Sequence, residues 1–238
     1  MIAKTEYGTV RGRDADGLGV FTGIPFAAPI EGPRRFLPPE PPAPWDGIRD
    51  AVRFSAPPPQ GPMVDGMPSL WKPKHGLDCL SVNVWTPDVG GSGLPVLVWI
   101  YGGAFLVGSS NEPTYDGSRL AQDGAVVVSV NYRVGFEGFG WLADAPANRA
   151  LLDQVAALRW VHDNIANFGG DPDNVTVFGE SAGGTAVAAL LTSPLSAGLF
   201  RRAIAQSMAG TLTTPDEARA TGEAIAAAAG AEATVASL

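Results

Sequence analysis

One serine stands where its chemistry would count. Residues Gly179-Glu180-Ser181-Ala182-Gly183 set a hydroxyl among small neighbours. Residues 175–178 before it are apolar and β-branched, the composition of a strand buried on both faces. Residues 185–191 after it read as a helix of Ala, Val and Leu. A chain that turns from strand to helix in so few residues brings two backbones together, so Gly179 and Gly183 must be small. Ser181 is then expected on a sharp, strained bend with its hydroxyl exposed. The following helix would aim free N–H groups and the positive end of its dipole at whatever reacts there. Such an arrangement suits nucleophilic attack on an acyl carbon. The plainer alternative is a tight strand–helix turn with no chemistry in it.

The elements that must hold this serine show in the hydrophobic pattern. Residues 4–28 predict small antiparallel strands, at 8–12 and 19–22, with a turn at Asp14-Ala15-Asp16-Gly17. From 29 to 73 the chain is dense in proline and glycine, yet Phe36, Trp45, Phe54 and Trp71 punctuate it. Spaced aromatics predict a loop pinned on a core rather than free chain. Residues 80–85 alternate and predict a half-buried strand, whereas 95–100 and 125–130 are continuous apolar runs, as central parallel strands require. Leu151, Leu152, Val155, Leu158, Val161 and Ile165 mark one apolar face of a helix. Gly169-Gly170-Asp171-Pro172 should stop it. Residues 203–206 predict a further strand. Thr214 as N-cap, Pro215 at N1 and Glu217 closing a capping box open a last helix. The alternation of strands and helices predicts an α/β chain with a mostly parallel central sheet, flanking helices and a small N-terminal antiparallel portion.

Composition narrows the function classes. A net charge of −8 argues against a nucleic-acid partner, which needs clustered Lys and Arg. The N-terminus has no apolar signal-peptide region, and no window is long and apolar enough to span a bilayer, so no membrane partner is expected. Cys79 is the only cysteine, which leaves no intrachain disulfide and no zinc cluster. The expectation is a cytoplasmic protein with no metal and no cofactor.

Ordered blocks along nearly the whole chain carry a resemblance: F-T-G-I-P-F-A-A-P (21–29), R-F (35–36), D-C-L-S-V-N-V-W-T-P (78–87) and P-V-L-V-W-I-Y-G-G-A-F (95–105). N-Y-R-V-G (131–135), L-L-D-Q (151–154), the long block at 158–184 and G-L-F-R-R-A-I-A-Q-S (198–207) continue it. The sequence resembles the type-B carboxylesterase and cholinesterase family. That resemblance implies the α/β-hydrolase fold, a small-molecule carboxylic ester as substrate and Ser181 as catalytic nucleophile. It also implies that the loop at 101–105 supplies backbone donors, so that Gly103, Ala104 and Ala182 form the oxyanion hole, supported by Gly102, Gly179, Glu180 and Gly183. One such donor contributes roughly 3–4 kcal/mol in the best-measured case. Alone, a glycine pair after a strand is an ordinary tight turn; only the joint match gives it this role. Glu180 matches a family glutamate that tunes the site electrostatically. Trp71 and Phe105 are candidate substrate-pocket residues. Trp71 resembles the aromatic of the cholinesterase gorge, where it would offer a cation–π surface, and it also reads as a packed loop anchor.

The departures from that pattern carry expectations of their own. Leu77 stands where the family has a glutamate that pairs with the arginine matched by Arg35, so Arg35 is expected to lack that partner. The family's upstream cysteine is replaced by proline around 57–59, which makes Cys79 an unpaired buried thiol. Arg149-Ala150 and Met208 replace residues that are apolar or glycine in the family, and suggest relaxed constraint or a divergent branch. Asp153 and Asn148 read as structural.

The larger gap concerns the proton. In this fold the partners follow in the order serine, acid, histidine, and no histidine follows Ser181. His162 reads as a solvated helix residue and His75 as part of the proline-rich loop. Asp216, Glu217, Glu223 and Glu232 fall on or near the last helix. Residues 1–238 are therefore expected to form a single, incomplete α/β-hydrolase domain, the N-terminal half of a longer esterase with a truncated sheet. Its triad acid and histidine would be absent from this chain, either supplied elsewhere, as by a second chain carrying the C-terminal half, or lost by truncation. The other readings are a catalytically silent esterase-like binding module and a nonfunctional fragment with an unpaired strand edge.

Overall fold

The structure, a computed structural model, describes residues 1–210 and 212–238. The chain opens with β1 (Ile2–Thr5), β2 (Gly8–Arg11), β3 (Arg13–Ala15) and β4 (Leu18–Pro25), then crosses the proline-rich stretch with the short β5 (Ile48–Asp50) and single 3₁₀ turns at Gly32–Arg34 and Pro73–His75. Next come β6 (Ser81–Thr86), β7 (Leu94–Ile100), α1 (Ser118–Gln122), β8 (Val126–Val130), α2 (Gly135–Phe139) and α3 (Arg149–Asn164). The last elements are β9 (Gly170–Glu180), α4 (Ala182–Thr192), β10 (Arg202–Gln206) and α5 (Pro215–Ala228).

The main sheet runs β10-β9-β7-β8-β6-β4-β3. Its β10, β9, β7 and β8 pair in parallel, and β6, β4 and β3 extend it antiparallel. The result is a mixed sheet with flanking helices, as the α/β pattern requires. The N-terminal strands divide between two sheets. β3 and β4 belong to the main one, while β1 and β2 join β5 in a small sheet of their own. In register, Val96 faces Val175, Val98 faces Val177 and Ile100 faces Gly179. The valines of β7, β8 and β9 that face the core are fully buried. Each contributes roughly 1.5–3 kcal/mol of burial, so this central stripe is what fixes the level at which Gly179 leaves the sheet.

β6 departs from the expected half-burial, for all six of its residues are buried. Its alternation marks a buried polar layer rather than a solvent face. Asn83 accepts from the Gly23 N–H at 2.9 Å and donates to the hydroxyls of Ser110 and Ser129 at 3.1 and 3.0 Å. Ser81 shares a 2.6 Å hydrogen bond with Ser55. Partnered in this way, polar side chains can line a core strand.

The proline-rich stretch is pinned, though not by all four aromatics. Phe36 is buried, Trp45 Nε1 donates to the Thr9 carbonyl at 3.0 Å and Trp71 Nε1 to the Gly76 carbonyl at 3.0 Å. Phe54 is exposed. After α3, a single 3₁₀ turn (Ile165–Phe168) ends at Gly169, whose φ is +87°. A Cβ there would lie 2.2 Å from the Asp88 carbonyl oxygen, so glycine is required twice over. The Thr214–Glu217 capping box forms as expected at the start of α5.

Two of the departures from the family pattern, at Arg35 and Arg149, turn out to be partnered. Arg35 meets Glu137 of α2 at 2.6 Å, so the carboxylate expected from the position of Leu77 comes from another element. Arg149 is buried and donates to the carbonyls of Phe136, Glu137, Gly140 and Pro146 at 2.8–2.9 Å. Burial, reinforced by the nearby Arg133 charge, lowers its pKa to about 10, which leaves it cationic near neutrality. The expected loosening at this position is absent: Arg149 ties α2 and the following turn to α3. Beside it, Arg133 and Asp153 form a fully buried ion pair at 2.6 Å. Burial works against the Arg133 charge, but Asp153 and its hydrogen bonds outweigh it and hold the guanidinium protonated. Cys79 is buried and unpaired, and burial pushes its thiol well up. Met208 lies exposed, and nothing in the structure explains its choice.

Among the described residues, no helix is long and apolar enough to cross a membrane, and no three His, Cys, Asp or Glu side chains are grouped to hold a metal ion.

Candidate active site

β9 delivers Ser181 to the end of the sheet, and α4 starts at the next residue. Ser181 takes φ +55° and ψ −122°, a conformation that L-residues adopt only under strain and that marks functional bends. Close backbone approach enforces it. A Cβ on Gly179 would lie 2.6 Å from the backbone of Gly183, and one on Gly183 would lie 2.1 Å from the Ile100 carbonyl oxygen. Gly184, which the sequence reading passed over, is equally constrained: a Cβ there would sit 2.4 Å from the Gln206 carbonyl oxygen. Two hydrogen bonds complete the bend. The Ser181 N–H donates to the Gln206 carbonyl of β10 at 2.9 Å, and the Ser181 carbonyl accepts from the Thr185 N–H at 3.0 Å. Among the described residues the Ser181 hydroxyl itself has no hydrogen-bond partner.

The loop after β7 lies against this bend. A Cβ on Gly102 would come 3.1 Å from Ser181 Cβ and 3.3 Å from Glu180 Oε2. Gly103, Ala104 and Phe105 follow at φ +114°, +56° and +63°, a run of positive values that curls the backbone. The curl is closed by the N–H groups of Leu106 and Val107, which both donate to the Gly103 carbonyl. Among the described residues, the N–H groups of Gly103, Ala104 and Ala182 donate to no acceptor. Ala182 is the first residue of α4, where helix geometry leaves N–H groups unpaired in any case. Below the loop, Tyr101 and Tyr132 stack at 4.3 Å, and each hydroxyl donates to the other's carbonyl, at 2.9 and 2.6 Å. That reciprocal clasp fixes where the loop leaves the sheet.

Two further candidates divide. Trp71 borders a cavity of about 420 Å³ together with Leu106, Val107 and Phe136, so it serves as loop anchor and cavity wall at once. Phe105 packs edge-on against Phe139 at 4.8 Å and lines neither this cavity nor the one beside Gly102. Glu180 is exposed. With Glu112 it adds to burial in raising the pKa of the Tyr115 phenol. Neither imidazole is bonded to Ser181. His75 Nδ1 accepts from the Lys72 N–H at 3.1 Å, and His162 Nδ1 pairs with Asp163 at 2.8 Å on the exposed side of α3.

A hydroxyl on a strained bend, packed against a loop that carries open N–H groups, is the kind of arrangement that can attack a carbonyl and hold the resulting oxyanion. Comparison with known proteins bears on which chemistry that is. The model of the carboxylesterase family matches residues 1–237. The chain belongs to the carboxylesterase family. It is 47% identical to the para-nitrobenzyl esterase of Bacillus subtilis (strain 168) over 229 residues, which are 94% of this chain and 47% of that protein. It is 49% identical to human carboxylesterase 3 over 230 residues, 89% of this chain and 39% of that one. Among solved structures, a PNB esterase superposes with a TM-score of 0.89 at 46% identity, over 98% of this chain and 49% of the other. The fold is the α/β-hydrolase, and the chain spans about half the length, or less, of these carboxylesterase relatives.

Proposed function

We propose that these residues form the nucleophile-bearing portion of a serine carboxylic-ester hydrolase. Ser181 Oγ attacks the acyl carbon of a small-molecule ester, and the N–H groups of Gly103, Ala104 and Ala182 receive the oxyanion of the tetrahedral intermediate. Gly102, Gly179 and Gly183 keep the two loops close enough for this, and Glu180 adds negative charge at the rim. The observation that carries the reading is the bend at Ser181: a positive φ, enforced by three glycines, with a free hydroxyl against a loop of open donors. Proton transfer needs an imidazole and an acid. Since His75 and His162 are engaged elsewhere, both would come from polypeptide beyond these 238 residues, in the same molecule or a second chain.

Without that pair, a serine site retains the contribution of its oxyanion donors, on the order of 10³–10⁴-fold over water where it has been measured. The 238-residue chain is therefore expected to turn over p-nitrophenyl acetate feebly, yet to be labelled by a fluorophosphonate at Ser181. Labelling lost in Ser181→Ala supports the reading. A folded chain whose Ser181 reacts no faster than an ordinary exposed serine would show that the oxyanion donors contribute nothing, overturn the reading and favour an esterase-like binding module. Brisk turnover by the isolated chain would refute the outside source of the base.

A further inference from the structure

The loop after β7 holds a backbone that its own residues do not favour. Ala104 and Phe105 sit at φ +56° and +63°, values that strain an L-residue and persist only where the surroundings impose them. The turn closed on the Gly103 carbonyl accounts for one side of that hold. The other side comes from α2. The Gly135 N–H at its start donates to the Phe105 carbonyl at 2.7 Å, and the Phe139 ring at its end packs edge-on against the Phe105 ring at 4.8 Å. Phe105 is thus gripped by backbone and side chain at once, one residue from the Ala104 N–H.

α2 cannot supply that grip unaided. It has five residues, too few for a helix to be stable by itself, and the carbonyls at a helix's C-terminal end have no partner within it. Arg149 of α3 supplies donors from outside. Its guanidinium donates to the Phe136 and Glu137 carbonyls within α2, and to those of Gly140 and Pro146 in the turn beyond, all at 2.8–2.9 Å. A cation at that end also suits the helix dipole. The Arg35–Glu137 pair is a looser tie, since it takes a side chain and its arginine is 41% exposed. Arg149 is fully buried and takes the backbone itself. Gly138 leaves no slack behind α2: a Cβ there would lie 2.5 Å from the Arg133 carbonyl oxygen and 3.0 Å from the Ala150 Cβ. The short helix is wedged between α3 and Phe105.

Resting on the reading of Ser181 as nucleophile, we propose that Arg149 is a positioning residue for the oxyanion loop. It fixes the backbone of α2, α2 fixes Phe105, and Phe105 keeps Gly103 and Ala104 in the curl that presents their N–H groups. The arginine itself touches no reacting atom. It stands where the family pattern has an apolar residue, so the brace is a feature of this chain and not of that pattern.

The test is the rate at which a fluorophosphonate labels Ser181 in folded protein, well below the melting temperature. In that reaction an Oγ–P bond forms, fluoride leaves and the hydroxyl proton passes to water. Arg149→Met removes every donor and should slow labelling roughly tenfold, part of the roughly 10²–10³-fold that loss of a whole oxyanion donor costs. Arg149→Lys, which keeps the charge and fewer donors, should recover some of that rate. Phe139→Leu should slow labelling without disturbing the buried cation. In the double variant Arg149→Met/Phe139→Leu the combined loss should fall short of the product of the single losses, because both act through α2. Val10→Ala, a buried change in the small sheet, has no path to the loop and should label at the wild-type rate. Should Arg149→Met fail to fold, Arg149→Lys and Phe139→Leu are combined in the same way. Folded Arg149 variants that label like the wild type, losses that simply multiply, or equal slowing in Val10→Ala would overturn the proposal. If wild-type Ser181 reacts no faster than an ordinary exposed serine, the nucleophile reading fails and the brace is judged alone by amide exchange. The Leu106, Val107 and Gly135 N–H groups should then exchange roughly tenfold faster in Arg149→Met, the factor for about one lost hydrogen bond, with partial recovery in Arg149→Lys. Unchanged exchange refutes it.

Discussion

At the bend around Ser181, backbone presses on backbone; at the corner around Phe36, three long cations reach across gaps. In the first region Gly179, Gly183 and Gly184 leave no room for a Cβ against Ile100, Gly183 and Gln206. In the second, Arg133 meets Asp153, Arg149 collects four carbonyls, and Arg35 takes Glu137 while it and Arg149 lie over the Phe36 ring at 4.7 and 5.4 Å. The bend is held by what is missing from its side chains and the corner by what is present in them. The first device admits almost no alternative, whereas the second lets a partner move from one element to another, as it has for Arg35.

Substitutions at the corner and the bend can break or sharpen this contrast. The largest loss is expected for Asp153→Ala, which strands the buried Arg133 charge; about 3–5 kcal/mol should disappear from urea unfolding. Gly183→Ala should cost about 3 kcal/mol by the same measurement, because the clash is with the Ile100 carbonyl and no flexible side chain can yield. It should also slow fluorophosphonate labelling, since the bend itself is displaced. Were the bend to absorb that methyl without loss, the proposed asymmetry between the regions would fail. Arg149→Lys keeps the charge but cannot span four acceptors, and about 2 kcal/mol should be lost. Glu137→Gln touches a pair whose arginine is 41% exposed, so roughly 1 kcal/mol or less is expected.

The smallest effect is a pH dependence away from both regions. Hydrogen bonds from the Thr214 N–H and hydroxyl hold the Glu217 carboxyl below its ordinary value of 4.5. Its folded pKa is depressed, so the cap is fully stabilising above that value and is lost as pH falls through the lowered one. Amide exchange in the first turn of α5 should quicken on acidification, and Glu217→Gln should remove the pH dependence.

The same contrast explains what the sequence made legible. Ser181, Gly179 and Gly183 could be read in advance because steric exclusion leaves one residue type per glycine position, and β7, β8 and β9 because continuous β-branched runs have few other uses. The corner could not. That Arg149 would find four carbonyls depends on α2 and the turn after it being folded beneath it, and nothing in the order of residues announces this. β6 misled for a related reason, since its serine and asparagine look like a solvent face until Ser55, Ser110 and Ser129 arrive from distant segments.

One bond described above reaches further than its length. The amide of Ser181 hangs from Gln206, and Gln206 belongs to β10, the last strand of the main sheet among the described residues. The nucleophile is thereby moored to the rim of the sheet. Fraying at that margin would slacken the serine's geometry, and a strand laid alongside β10 would stiffen it, so reactivity at the centre becomes a gauge of how firmly the border is held.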